Sequence, residues 1–138
     1  MKLIVLVLAL FMESKSFCQT NIWQETSNWR IYNIKSKESF NYSLDTLSHF
    51  KNIRLNDDSM KVFLSNVSPI PIERIPVWMG FYIASCQTKN GTNLKLEIST
   101  YGGFFYNEKD KKYYELSPEM RIGWLNYFAE SEVALQSL

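Results

Sequence analysis

Two side chains in this sequence have the chemistry of a nucleophile and its base, Cys86 and His49. His49 is the only histidine in the 138 residues, and Cys18 is the only other cysteine. A thiol attacks as the thiolate, and a neighbouring imidazole can take its proton. Cys86, however, lies within a run typical of a β-strand, where a lone cysteine usually behaves as a small apolar residue. The sequence therefore favours a packing role for Cys86 over a catalytic one.

Acidic residues offer a second kind of chemistry. Glu97 and Glu115 fall in two predicted strands, and paired carboxylates act as acid and base only at a fixed separation. The sequence does not fix that separation, so we interpret both as solvent-facing residues. The run Asn56-Asp57-Asp58 lacks the alternating oxygen ligands and the glycine of an EF-hand loop. It leaves a carboxylate-only calcium site open but is typical of a helix N-terminus.

Most short catalytic motifs are absent from the sequence. It contains no glycine-rich phosphate loop, no Gly-x-Ser-x-Gly, no His-x-x-x-His and no Cys-x-x-Cys. We therefore predict no catalytic residue, no metal ligand and no cofactor. An enzyme of unrecognised type is the least favoured of the functions considered.

The most unusual string is Tyr101-Gly102-Gly103-Phe104-Phe105-Tyr106. Its glycines would let a partner's backbone approach, and its rings would supply amphipathic contact area, so it predicts a binding surface. The alternative is a glycine bulge that bends a sheet. The predicted binding residues are Trp78, Tyr82, Glu97, Tyr101, Gly102 and Gly103.

A β-hairpin must position most of these residues. Two strand-like runs, 77–87 and 93–100, are separated by a turn that contains Asn90-Gly91. Asn-Gly favours a two-residue type I′ turn, which pairs Phe81 with Thr100 and Ile83 with Ile98. Alternate strand residues point to opposite faces. We thus expect Phe81 and Ile83 in the core, and Tyr82, Glu97 and Tyr101 together on an amphipathic aromatic face.

The remaining pattern alternates helices and strands. Residues 29–34, 104–106 and 113–116 predict strands, and Asp57-Asp58-Ser59 predicts the start of a helix that ends at Ser68-Pro69. Ser117-Pro118 predicts the start of a C-terminal helix. Its predicted apolar stripe is Met120, Trp124, Leu125, Phe128 and Leu135. The predicted fold is α+β, a single domain with a three- to four-stranded mainly antiparallel sheet, one or two helices before it, and the C-terminal helix packed on one face.

Composition narrows the classes of function. The chain has 15 Lys and Arg against 14 Asp and Glu, and 46% of its residues are hydrophobic. The balanced charge argues against a nucleic-acid partner. Two cysteines exclude a disulfide scaffold and a cysteine-rich zinc site. The length suits one domain with a single core.

The first 18 residues predict a secretory signal peptide. Lys2 precedes the apolar run 3–12, and polar and small residues lead to Cys18. The apolar run is too short to span a bilayer. With cleavage after Cys18, the mature domain is 19–138, without a transmembrane span. A lipid anchor on Cys18 is the disfavoured alternative, because Phe17 is bulky where lipoproteins have a small residue. At Phe17-Cys18-Gln19 the leader resembles those of exported proteins of Bacteroidetes-type bacteria.

These observations predict a small exported protein, periplasmic or extracellular, that binds another protein through an aromatic sheet face. An inhibitor or immunity-type protein fits that description. A structural or accessory subunit of a cell-envelope assembly is the alternative from a different class. It would bury the same aromatic residues permanently.

Overall fold

The computed structural model describes residues 21–35, 42–74, 81–100 and 102–138. The predicted leader, with its cleavage site and Cys18, lies outside the described residues. So do two of the predicted binding residues, Trp78 and Tyr101.

The described residues form one open antiparallel sheet of seven strands in the order β2-β1-β4-β5-β6-β7-β3. The prediction of three to four strands is wrong for two reasons: the strand predicted at 29–34 was not counted in the sheet although β1 pairs with β4, and β2 and β3 are only three residues long and too short to show an alternating pattern. They pair with β1 and β7 and extend the sheet at both edges. The strands are β1 (Ser27–Lys35), β2 (Asn52–Arg54), β3 (Val67–Pro69), β4 (Phe81–Gln87), β5 (Asn93–Ser99), β6 (Phe104–Asn107) and β7 (Lys112–Leu116).

Three α-helices accompany the sheet within the described residues: α1 (Leu44–Leu47), α2 (Asp57–Phe63) and α3 (Pro118–Gln136). Short 3-10 segments occupy Ile22–Glu25, Leu64–Asn66 and Ile72–Arg74. The α+β class and the C-terminal helix are thereby confirmed.

The cap of α2 differs slightly from the prediction. The Asn56 side chain accepts a hydrogen bond from the Ser59 N–H at 2.9 Å, so Asn56 rather than Asp57 caps the helix. The helix also ends earlier than the predicted Ser68-Pro69, because α2 stops at Phe63 and Val67 already belongs to β3.

The β4–β5 hairpin has a different register from the predicted one. Ile83 lies opposite Glu97 and Ser85 opposite Lys95, a shift of one residue. In the turn, the Gly91 N–H donates to the Thr88 carbonyl at 2.9 Å, and the Thr88 N–H donates to the Thr92 carbonyl at 2.9 Å. Gly91 has a φ of +82°, while a type I′ turn would need a positive φ at Asn90 as well. The loop is therefore a three-residue turn that ends in a left-handed glycine.

This register decides which side chains enter the core, because a one-residue shift exchanges the two faces of a strand. Side chains at even positions of β4 and β5 point toward α3 and are buried: Tyr82, Ala84, Cys86, Leu94, Leu96 and Ile98. We call this side the α3 face. The opposite side, here the distal face, carries Ile83, Ser85, Lys95 and Glu97 of β4 and β5, Tyr106 of β6 and Tyr113 of β7.

The main core lies between the α3 face and the helices. Trp124 and Phe128 of α3 are fully buried, and the Trp124 indole N–H donates to the Ser99 carbonyl at 2.9 Å. Phe63 of α2 packs edge-on against Trp124, with the ring centroids 5.8 Å apart. Leu125, predicted to belong to this stripe, is exposed instead. Burying such aromatic side chains contributes the largest apolar areas in the domain.

A smaller apolar cluster lies on the distal face. Leu47 of α1 packs with Tyr32, Ile34 and Ile83, and the partly buried Phe50 adjoins them. The segment around α1 therefore covers the part of the distal face formed by β1 and β4. The β5–β7 part carries polar and aromatic residues.

The positive φ at Gly91 gives a direct test of the turn. Alanine at this position would meet no atom within 4 Å, so its effect is conformational only. We expect Gly91→Ala to lower the free energy of unfolding by about 1 kcal/mol, measured by urea denaturation. Gly91→Asn should lose less, because asparagine tolerates the left-handed region. Equal stability of Gly91→Ala and wild type would show that the turn does not hold this conformation.

Candidate functional site

Three neighbouring strands place a row of side chains across the distal face. Glu97 of β5 lies opposite Tyr106 of β6, and Tyr106 lies opposite Tyr113 of β7. The two tyrosine rings are tilted by 41°, with centroids 4.6 Å apart. All three residues are half-buried. Both rings thus present part of their surface to solvent, and Tyr106 does so beside the Glu97 carboxylate.

The electrostatic surroundings of Tyr106 are acidic. Partial burial raises the pKa of its hydroxyl, and Tyr113, Glu97, Glu108 and Asp110 raise that pKa further. These effects require the three carboxylates to lie within Coulomb range of the ring. Of these three carboxylates, Glu108 is already paired with Lys95 of the same face.

Asp110 is held in this position by a residue of the opposite face. The Tyr114 hydroxyl donates a hydrogen bond of 2.5 Å to the Asp110 carboxylate. Burial and this hydrogen bond raise the pKa of Tyr114 above its usual value. Tyr114 itself stacks on Phe105 in the main core, with centroids 5.2 Å apart. The core thereby fixes the β6–β7 turn that carries the acidic groups.

An ion pair holds the same turn on the distal face. Lys95 contacts the Glu108 carboxylate at 3.1 Å, and its side chain is only 10% exposed. The ammonium group also donates to the Tyr42 carbonyl at 2.7 Å. These contacts tie β5 to the β6–β7 turn and to the segment before α1. A cleft of about 420 Å³ runs between them, with Leu44 and Lys109 among its walls.

The structure separates the predicted binding residues. Glu97 lies on the distal face, whereas Tyr82 is buried on the α3 face, where its hydroxyl donates to the Glu132 carboxylate of α3. The one-residue difference in register explains this, because the predicted pairing placed both on one face. Tyr82 is therefore part of the core, and no surface on the described residues contains both.

The two predicted glycines contact side chains of this chain. Gly103 has a φ of +69°, and a Cβ atom there would lie 3.2 Å from Cγ of Arg121. A Cβ atom on Gly102 would overlap the ring of Phe104. Both glycines thus make room for side chains of this chain in the turn between β5 and β6.

The thiol and the imidazole are not brought together. Cys86 is buried in the main core, while His49 is exposed in the turn after α1, which packs on the distal face. Burial strongly raises the pKa of the Cys86 thiol. The described structure therefore does not form the Cys86/His49 pair considered from the sequence.

The two glutamates are also apart. Glu97 is opposite Tyr106, whereas Glu115 of β7 is opposite Phe104, in the next row of the same face. Two strand spacings, about 10 Å, lie between them. Glu115 instead contacts Arg74 at 3.2 Å and Arg121 at 3.7 Å. They do not form an acid–base pair.

Neither a metal-binding cluster nor a membrane-spanning helix is found among the described residues. Within the described ranges, no group of three or more His, Cys, Asp or Glu is placed to hold a metal ion. None of the helices described is long and apolar enough to cross a membrane. Comparison with protein-family models, curated proteins and solved structures finds no match to this chain. The site therefore rests on the geometry alone.

The sequence alone leaves two roles open for Tyr113, an extension of the binding surface or closure of the core, and it places Tyr106 within the unusual string. Residues 104–107 and 112–116 alternate around a charged turn, and pairing them would have set Tyr106 opposite Tyr113. The charged loop between these two runs is typical of a second hairpin, which is the signal that the sequence offers for this contact. Without the correct β4–β5 register, the sequence does not place Glu97 on the same face as these two tyrosines.

The buried thiol predicts low reactivity. In a Cys18→Ser background, where Cys86 is the only thiol, we expect a thiol-specific reagent such as DTNB to react slowly with the folded protein. In denaturant it should react completely, because burial rather than chemistry protects the sulfur. A Ser43→Cys variant at an exposed position serves as the control for accessible thiol. Rapid labelling of Cys86 in the native state would contradict its burial.

The raised pKa of Tyr114 predicts a loss of stability in alkali. Because the folded-state pKa lies above the unfolded value of about 10, this contribution is complete below pH 10 and is lost as pH rises through the folded value. Tyr114→Phe should cost about 1.5–3 kcal/mol near neutral pH, since it removes a hydrogen bond to a carboxylate. It should also flatten the alkaline decline, measured by urea unfolding at several pH values. An unchanged alkaline slope would argue against this pair.

Proposed function

We propose that this chain is a small exported, non-catalytic protein that binds a partner protein through the β5–β7 part of its distal face. An inhibitor or immunity-type protein in the periplasm or outside the cell fits this function. The observation that supports it is the Tyr106/Tyr113 pair beside Glu97, half-exposed on a sheet whose other face is occupied by α3. Tyrosine is enriched in interfaces because it combines apolar area with a hydrogen-bonding end.

The charges around the tyrosines define the chemistry of the partner. Glu97, Glu108 and Asp110 surround Tyr106, and each acts to raise its pKa. A partner surface with Arg or Lys would place positive charge beside these carboxylates, of which Glu108 is already paired with Lys95 within the chain. Its cations would also be attracted to the faces of the aromatic rings. We therefore propose a basic patch on the partner.

The rigidity of the face supports binding without rearrangement. The strands that carry the row are paired on both sides, β5 with β4 and β6, and β6 with β7. The Lys95–Glu108 contact and the Tyr114–Asp110 hydrogen bond fix the adjoining turn. A surface already ordered before association loses less conformational entropy on binding.

Export is the second part of the proposal and rests on the sequence. The signal-peptide pattern of residues 1–18 supports it. A protein without catalytic motifs that leaves the cytoplasm is consistent with a role in binding. The cell-envelope subunit remains the alternative, and solution behaviour separates the two, because a subunit made alone would aggregate through its unfilled interface.

The tyrosine pair provides the test of the proposed function. The protein, immobilised by a terminal tag, is exposed to an extract of its native envelope at low and at high salt. We expect capture of a partner by the wild type, and at least a tenfold reduction with Tyr106→Ala or Tyr113→Ala, about 1.4 kcal/mol or more. Glu97→Gln should weaken capture mainly at low salt, because it removes one charge.

Two controls make the result interpretable. Val62→Ala removes an exposed apolar side chain from α2, on the α3 side of the sheet, and should leave capture unchanged. Thermal unfolding of the tyrosine variants should remain close to that of the wild type, since both rings are half-exposed. If the wild type captures no protein, or if the tyrosine variants capture it equally well, the distal face is not the binding surface.

A further inference from the structure

The C-terminal helix α3 carries two apolar stripes. The inner stripe, with Trp124, Phe128 and Leu135, is fully buried in the main core. The outer stripe consists of Ile122, Leu125, Ala129 and Val133, whose spacings of three and four residues place them on one side of the helix. Ile122 is 73% exposed, Val133 70% and Leu125 37%.

An outer stripe of this kind is unusual on a helix that already has a buried side. Surface helices typically turn charged and polar residues toward water. The borders of this stripe are polar or charged, with Arg121 and Glu132 on one flank and Glu119, Asn126 and Glu130 on the other. An apolar strip with such a rim is characteristic of an interaction surface.

We propose that the occupant of this outer stripe is a second copy of the same chain. In this arrangement the two α3 helices pack antiparallel across a two-fold axis. A two-fold interface requires a patch that is complementary to itself, and it is the commonest symmetry of soluble oligomers. The outer stripe meets that requirement in both shape and charge.

The shape argument fixes the position of the axis. When the two-fold axis passes between Asn126 and Tyr127, Ile122 of one copy lies between Ala129 and Val133 of the other. Leu125 then packs beside Ala129 of the second copy. The small Ala129 side chain allows the two helix backbones to approach closely, with side chains of one helix filling the gaps of the other.

The charge argument selects the same position independently. In an antiparallel pair of this symmetry, residues on the same flank of the two helices face each other. Arg121 and Glu132 lie on one flank at equal distances from the axis, so each Arg121 faces Glu132 of the second copy, and the contact occurs twice. Within one chain, Arg121 contacts Glu115 at 3.7 Å, and Glu132 accepts from the Tyr82 hydroxyl. Both side chains therefore already have partners within the chain, and the contact across the axis is additional to these.

The size of the contact indicates a dissociable dimer. The helix has 19 residues, so it is about 28 Å long. A single pair of helices of this length buries less surface than the 1,200–2,000 Å² or so of a typical stable interface. We therefore expect monomer and dimer to exchange with protein concentration. Sedimentation velocity should show a concentration-dependent average mass.

Engineered cysteines test the orientation of the helices. In a Cys18→Ser background, Asn126→Cys places thiols of the two copies next to the axis, and mild oxidation should give a disulfide-linked dimer. Glu119→Cys is the matched control on the same flank, because its two copies would lie about 22 Å apart along the helix axis. Crosslinking at both positions, or at neither, would overturn the antiparallel arrangement.

Charge reversal tests the identity of the occupant. We expect Ile122→Glu to weaken self-association at least tenfold, and Arg121→Glu to weaken it through repulsion with Glu132. Adding Glu132→Arg to Arg121→Glu should restore the dimer, which a merely destabilised fold would not do. A wild-type chain that stays monomeric at all accessible concentrations would exclude a second copy. The occupant of the outer stripe would then be another protein or residues 1–20 of this chain.

Discussion

The structure depends on one conformational constraint, the left-handed Gly91 that closes the β4–β5 hairpin. A three-residue turn ending in this glycine sets Ile83 opposite Glu97 and Ser85 opposite Lys95. Because side chains alternate between faces, that register sends the apolar even-numbered residues of both strands toward α3. The same register places Glu97 on the distal face. The core and the candidate site are therefore fixed by the same turn.

The two faces of the sheet have different roles, because the α3 face forms the main core and the distal face carries the candidate site. The α3 face receives large aromatic side chains, including Trp29, Phe105 and Trp124, and these supply most of the apolar burial. The distal face is covered near β1 and β4 by the segment around α1, and near β5–β7 it carries tyrosines and carboxylates. A residue such as Tyr114 connects the two, since its ring lies in the core and its hydroxyl holds Asp110.

The sequence predicted where helices and strands lie better than it predicted how the strands pair and which side chains face the core. Ser117-Pro118 correctly marks the start of α3, and Asn90-Gly91 correctly marks a hairpin. The predicted register of the β4–β5 hairpin is wrong because Lys89-Asn90-Gly91 suits both a two-residue and a three-residue loop. The two loops differ in the φ of Asn90. The prediction placed Leu125 in the buried stripe of α3 because the sequence does not show which of two apolar stripes on a helix faces the core. Glu97 was the only described member of the predicted site that falls beside the tyrosine pair. The Tyr106–Tyr113 contact required the pairing of β6 with β7.

The order of strands also has a consequence for how the chain folds. Strands β4 to β7 are neighbours both in sequence and in the sheet, so they can pair through short loops as soon as they are made. Strand β1 lies between β2 and β4, so residues 27–35 can complete their pairing only after residues 81–87 have been made. During synthesis from the N-terminus, β1 therefore exists for some fifty residues of elongation without its longest partner. Its apolar residues Trp29 and Ile31 therefore lack their partners on β4 until that strand has been made, and unpaired apolar strands of this kind favour misassociation.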